Sequence, residues 1–122
     1  DILNDGDLSC AFFVSSILKI FGLIKETHCT VDGTLKDLEK TGWFEIKKVR
    51  TGSLLVWEPI KYADNEFHGH IGFYIGRDLA ISNTSSLKVP SIHHYTFGTK
   101  QSLPTRKIKL IYWNKKLETT LI

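Results

Sequence analysis

An α+β fold is what the order of hydrophobic periods along this 122-residue chain predicts. Helical spacing occupies the part before Gly42, strand-like runs fill the part after it, and short turn signals separate the runs. Helices that come first and strands that follow as neighbours imply an antiparallel sheet with helices packed on it, not alternating βαβ units.

The first helix is read from Cys10, Phe13, Val14, Ile17, Leu18 and Phe21, spaced three and four apart. That period puts one apolar face on a helix from about Leu8 to Gly22, with Asp7 or Ser9 as cap and Gly22 as stop. A shorter helix follows, with Asp32 or Thr34 as cap, Leu35 and Leu38 on one face and Gly42 as terminator. It is expected to cover the core or face a substrate. Strands are then predicted at Trp43 to Val49, Leu54 to Trp57, His70 to Ile75, Leu79 to Ser82, Val89 to Tyr95 and Lys107 to Trp113. Thr51-Gly52 and Gly76-Arg77-Asp78 read as turns, and Pro59 through Gly69 as a polar loop. The result is a helical beginning and a β meander, with no repeat and no linker, hence one domain over residues 1–122.

Apolar residues make up 42% of the chain and charged residues 24%, and no apolar run approaches the length of a membrane span. The net charge of +3 comes with short basic pairs such as Lys47-Lys48 and Lys115-Lys116, which lack the interleaved aromatics of a nucleic-acid surface. The expected state is a monomeric globule without nucleic-acid partners. A chain without methionine is expected to be a processed product or an excised domain. Two cysteines do not make a disulfide framework.

Cys10 falls in the first turn of the first helix, where free backbone N–H groups and the helix dipole lower the cost of a thiolate. The same position also suits a small buried apolar residue. His70 heads the apolar stretch Gly69-His70-Ile71-Gly72-Phe73-Tyr74-Ile75-Gly76. Alternation sets His70, Gly72 and Tyr74 on one face of that strand, and a helix packed on this face would meet the imidazole. A cysteine and a histidine so placed form a nucleophile and general base, the imidazole taking the thiol proton. A strand-end histidine satisfied by neighbours is the plain alternative. Ser82 and Asn83 end the next strand, and one of them is expected to accept the other ring N–H and fix the tautomer; Asn83, with its longer reach, is the preferred choice.

Three stretches resemble one family, the NlpC-type cell-wall peptidases of the papain-like superfamily, with the CHAP amidases as near neighbours. Ser9-Cys10-Ala11-Phe12-Phe13-Val14 is similar to the family's Asp-Cys-Ser-Gly-Phe-Val nucleophile block, and Thr51-Gly52-Ser53-Leu54-Leu55-Val56-Trp57 to its Pro-Gly-Asp-Leu-Leu-Phe-Phe strand. Gly69 through Gly76 is similar to its Gly-His-Val-Gly-Ile-Tyr-Ile-Gly block, and order and spacing agree from Leu8 to about Trp113. The resemblance implies a papain-like fold, with the helix bearing Cys10 on an antiparallel sheet. It implies Cys10 as nucleophile, His70 as base, Asn83 as orienting group and the Cys10 N–H as an oxyanion donor. It further implies a peptide of bacterial peptidoglycan as substrate, no cofactor or metal, and action in the periplasm, outside the cell or within a phage lysin. Ser9, Trp57, His68 and Ser82 are the expected substrate contacts. Ser9, Ala11-Phe12 and Ser53 depart from the family's Asp, Ser-Gly and Asp, which motivates a second reading, a catalytically silent wall- or partner-binding module. A papain-like acyltransferase or deamidase acting on proteins is a third.

Other groupings compete with this one. Cys10 and Cys29 lie 19 residues apart, a separation that permits a disulfide. His68 and His70 fall on one strand face, with His93, His94, Cys10 and Cys29 as further zinc ligands, but without the paired spacing of a structural zinc site. Trp43, Trp57, Tyr74 and Trp113 are candidates for a sugar-binding groove, although strand aromatics usually belong to cores.

Overall fold

The computed structural model describes residues 9–62, 64–84 and 89–118. Two helices, α1 (Ser9–Ile20) and α2 (Val31–Lys40), precede eight strands: β1 (Trp43–Ile46), β2 (Leu54–Lys61), β3 (Phe67–Gly76), β4 (Leu79–Asn83), β5 (Pro90–His94), β6 (Thr99–Lys100), β7 (Leu103–Pro104) and β8 (Ile108–Asn114). The fold is α+β, with both helices packed on a six-stranded antiparallel sheet of order β1-β8-β2-β3-β4-β5. Among the described residues no helix is long and apolar enough to cross a membrane.

The ends of α1 and α2 follow local chemistry. Gly22, at φ +69°, ends α1: its N–H donates to the Lys19 carbonyl at 3.0 Å and the Leu23 N–H to the Leu18 carbonyl at 2.8 Å. This is the left-handed helix stop that glycine permits. Asp7 and Leu8, expected at the other end of α1, lie outside the described residues. The cap of α2 is Thr30, not Asp32 or Thr34: its Oγ1 accepts from the Gly33 N–H at 3.0 Å. Asp32 already lies in the first turn, and Thr34 turns its hydroxyl back to the Thr30 carbonyl.

Period-2 alternation divides the sheet into two buried faces. On the helix side, Leu54, Val56, Ile71 and Tyr112 pack with Cys10, Val14, Leu18 and Leu38, and Phe73 meets Phe13 edge to face at 6.0 Å. On the other side, Leu55, Trp57, Tyr74, Ala80 and Ile111 form a second core. Among the described residues no helix covers that face; Tyr95 and Phe97, from the segment after β5, do so, and Trp57 is anchored by its Nε1–H donating to the Tyr95 carbonyl at 2.8 Å. Gly72 is required here because a Cβ would stand 2.7 Å from both the Ile81 carbonyl oxygen and the Ser82 Cβ.

Three sequence expectations change. The Pro59–Gly69 loop is shorter, because β2 and β3 pair on through Ile60↔His68 and Lys61↔Phe67 after a register shift. The strand at Trp43 stops at Ile46. The meander holds from β2 to β5, but β8 inserts between β1 and β2. The small β6–β7 hairpin has no counterpart in the sequence reading.

Candidate active site

Cys10 sits in the first turn of α1 and is buried, as the apolar face of that helix requires. Its sulfur faces the backbone N–H groups of Ile71, Ala11 and Cys10 itself. These donors and the Arg106 charge favour a thiolate, but burial outweighs them and pushes the thiol above its ordinary pKa. The helix position alone predicted the opposite direction. Desolvation wins because Cys10 is buried in the apolar core with Val56 and Ile71.

Cys10 also lines a cavity of about 280 Å³, walled by Cys29 through Asp32 and Leu35 from the α2 side and by Val56, Trp57, Pro59, Phe67, His68, Gly69 and Lys109 from the sheet. Residues of both sheet faces reach it, Val56 from the helix side and Trp57 from the other, next to the register shift of β2 between Trp57 and Ile60. Of the four expected substrate contacts, Trp57 and His68 line this cavity. Ser9 is buried beside Cys10 and has an interaction partner. Ser82 is fully buried and away from the cavity lining, so it is placed to hold a neighbour and not to touch a ligand.

His70 lies on the other sheet face. Its register partner is Trp57, their rings 5.0 Å apart, while its chain neighbour Ile71 turns into the core that holds Cys10. The expectation that α1 packs on the His70 face is therefore corrected: α1 packs on the Ile71 and Phe73 face, whose larger side chains supply the apolar contact. The His70–Ile71 peptide is the link between the two groups, since its N–H faces the Cys10 sulfur. No hydrogen bond joins the Cys10 and His70 side chains among the described residues.

The ring of His70 is held by Ser82, whose Oγ is 2.9 Å from Nε2. Asn83, the preferred orienting residue, is on the opposite face of β4 by alternation, on the α1 side, and its buried Oδ1 has no hydrogen-bond partner among the described residues. One residue of register decides between the two, and it brings Ser82 to the histidine. Burial, the Arg106 charge and His93 together lower the His70 pKa to about 3, so the imidazole is neutral near pH 7. A neutral ring is free to accept a proton, but a pKa of about 3 lies far below the operating pH at which a general base is most effective. With the thiol pKa raised and the imidazole pKa lowered, the resting pair is thiol and imidazole, not an ion pair.

Two residues near the site were not expected in this role: His93 is read from the sequence only as a candidate zinc ligand, and Arg106 carries no local signal. His93 reaches Ser82 Oγ with its Nε2 at 2.7 Å, across a β4–β5 pairing that the chain reaches only after an intervening segment. Arg106, buried just before β8, donates through Nη2 to the His68 carbonyl at 3.1 Å and influences both Cys10 and His70.

The competing groupings separate in space. Cys10 and Cys29 are both free and line the same cavity. His68 pairs with Asp64 at 2.8 Å while His70 pairs with Ser82, and no group of three or more His, Cys, Asp or Glu arranged to hold a metal ion occurs among the described residues. Trp43 belongs to the helix-side core and Tyr74 to the opposite one, so the four aromatic candidates form no single groove. The chain matches no model of a known protein family and no curated protein sequence.

Proposed function

We propose that the protein is a papain-like cysteine hydrolase, an amidase or peptidase that cleaves amide bonds in bacterial peptidoglycan peptides outside the cytoplasm. The observation that carries the reading is Cys10: a free thiol in the first turn of a helix, near the backbone N–H groups of Ala11 and Ile71, lining a cavity and lying against the peptide that begins at His70. His70 accepts the thiol proton, and the Cys10 sulfur attacks the amide carbonyl. The resulting oxyanion is bound by backbone N–H groups at the start of α1. His70 then protonates the leaving amine, and a thioester remains. Water activated by the same imidazole hydrolyses the thioester, releasing the carboxylic acid and restoring the thiol. Because His70 and Cys10 stand on opposite faces of β3, the proton transfer between them requires a rearrangement of β3 at the cavity or a bridging water when substrate binds, a larger change than the tightening of an existing hydrogen bond.

A second reading, a silent binding module on the same fold, is favoured by the raised thiol pKa and by the placement of His70 on the far face of β3. Digestion of purified peptidoglycan and defined muropeptides by wild type and by Cys10→Ala, with products identified by mass spectrometry, separates the two. The hydrolase reading expects new peptide termini from wild type, reduced at least about 10³-fold in Cys10→Ala. Absence of cleavage by folded wild type across a panel of wall chemistries would discard the wall-hydrolase reading.

A further inference from the structure

Beyond Ser82, a third group completes the support of His70. We propose that His93, acting through the Ser82 hydroxyl, is a positioning residue that holds His70 as its Nε2–H tautomer and leaves the Nδ1 lone pair bare. The proposal rests on the reading of His70 as a general base for its purpose, but not for its geometry.

Donor and acceptor rules along three short contacts lead to it. His93 Nδ1 lies 2.7 Å from the His94 carbonyl oxygen, which only accepts, so Nδ1 carries the hydrogen. In a neutral ring Nε2 is then an acceptor, and the Ser82 hydroxyl donates to it at 2.7 Å. Ser82 has one hydrogen, now used, so at 2.9 Å from His70 Nε2 its oxygen must accept, and His70 Nε2 must donate. The bare nitrogen of His70 is Nδ1, the one position left from which the ring can take a proton. Orientation is fixed as well as protonation. The His93 ring is stacked on Phe97 at 4.0 Å and 15°, with Trp57 5.9 Å away, and Ser82 is fully buried where water does not compete for its hydroxyl.

One other assignment satisfies the three contacts: a doubly protonated His93 reverses the direction of both Ser82 bonds and leaves His70 with its hydrogen on Nδ1. Burial pushes the His93 pKa down and outweighs the hydrogen bond to the His94 carbonyl, which raises it, so the net shift is downward and favours the neutral arrangement near pH 7.

The experiment is ring-nitrogen NMR of protein labelled with ¹⁵N-histidine near neutral pH, with His70 assigned by the resonances lost in His70→Gln. Wild type is expected to show His70 protonated at Nε2 and bare at Nδ1. In His93→Leu the Ser82 hydroxyl has no acceptor but His70 Nε2, so the His70 population is expected to shift toward the Nδ1–H form. His93→Gln, whose side-chain oxygen can accept from Ser82, is expected to retain the wild-type pattern. Ser82→Ala is a second interruption of the same chain and is expected to remove the preference. A wild-type His70 protonated at Nδ1 overturns the proposal without any variant. So does an Nε2–H preference unchanged in folded His93→Leu. Where Cys10-dependent cleavage is present, His93→Leu is expected to lower kcat by roughly 10- to 100-fold with KM little changed. A tautomer that follows His93 without any Cys10-dependent cleavage supports the relay and overturns the hydrolase reading instead.

Discussion

At the scale of single residues, burial sets the chemistry of the site. Cys10 has the backbone donors of an activated thiol, yet desolvation raises its pKa; His70 loses its proton affinity for the same reason. The histidine carries a consequence for stability. Its folded pKa, about 3, lies below the ordinary 6.5, so the unfolded chain binds a proton that the folded chain refuses. The contribution is fully present above pH 6.5 and is lost as pH falls from 6.5 toward about 3. Urea unfolding across this window is expected to show stability falling by up to about 1.4 kcal/mol per pH unit from this group, with a shallower slope in His70→Gln. Asp37 adds to acid sensitivity lower on the scale. Burial raises its pKa, but hydrogen bonds from His28 and from the Glu26 and Lys25 N–H groups outweigh that and hold it below the usual carboxylate value, so its contribution is lost only below 3.8. An identical slope in wild type and His70→Gln would mean that His70 binds its proton normally in the folded state.

At the scale of elements, most ends were legible because they depend on local geometry. Gly22 stops α1 where the sequence predicts, and the β3–β4 turn falls at Arg77-Asp78. That turn holds both residues at positive φ, 55° and 62°, a conformation in which Asn-Gly is favoured and other side chains are strained. The backbone bonds at Asp78, from its N–H to the Tyr74 hydroxyl and from the Tyr95 N–H to its carbonyl, need no side chain and survive replacement. Replacing Arg77 and Asp78 with Asn and Gly is therefore expected to stabilise the protein by about 1 kcal/mol, read as a rise in Tm of several degrees. A lower Tm would show that the two side chains contribute more than the turn strain costs. Less legible was the cap of α2, because Thr30, Asp32 and Thr34 all have capping chemistry and only backbone conformation selects Thr30.

At the scale of the whole molecule, the sheet is buried on both faces by different means: helices on one side, the segment carrying Tyr95 and Phe97 on the other. Strands β2, β3 and β8 hold fully or largely buried residues from both cores, whereas all four residues of β6 and β7 are exposed and pair only with each other. Hydrogen exchange is expected to follow this division, with amides of β2 and β3 the slowest and those of β6–β7 among the first to exchange. Slow exchange in β6–β7 would show that the hairpin opens only with the whole domain.

By itself the sequence determined the α+β class, the helix that carries Cys10, the alternation of His70 with Ile71 and the short turns between neighbouring strands, because each follows from spacing, glycine conformation or capping within a few residues. Tertiary structure decided which face of β3 received α1, the insertion of β8 between β1 and β2, the choice of Ser82 over Asn83 beside His70 and the arrival of His93 behind it. Those outcomes depend on pairings between distant segments, where a shift of one residue reverses the buried face. They also depend on how much water is excluded once the layers close, which moves the pKa of Cys10 against its helix and that of His70 far below its ordinary value.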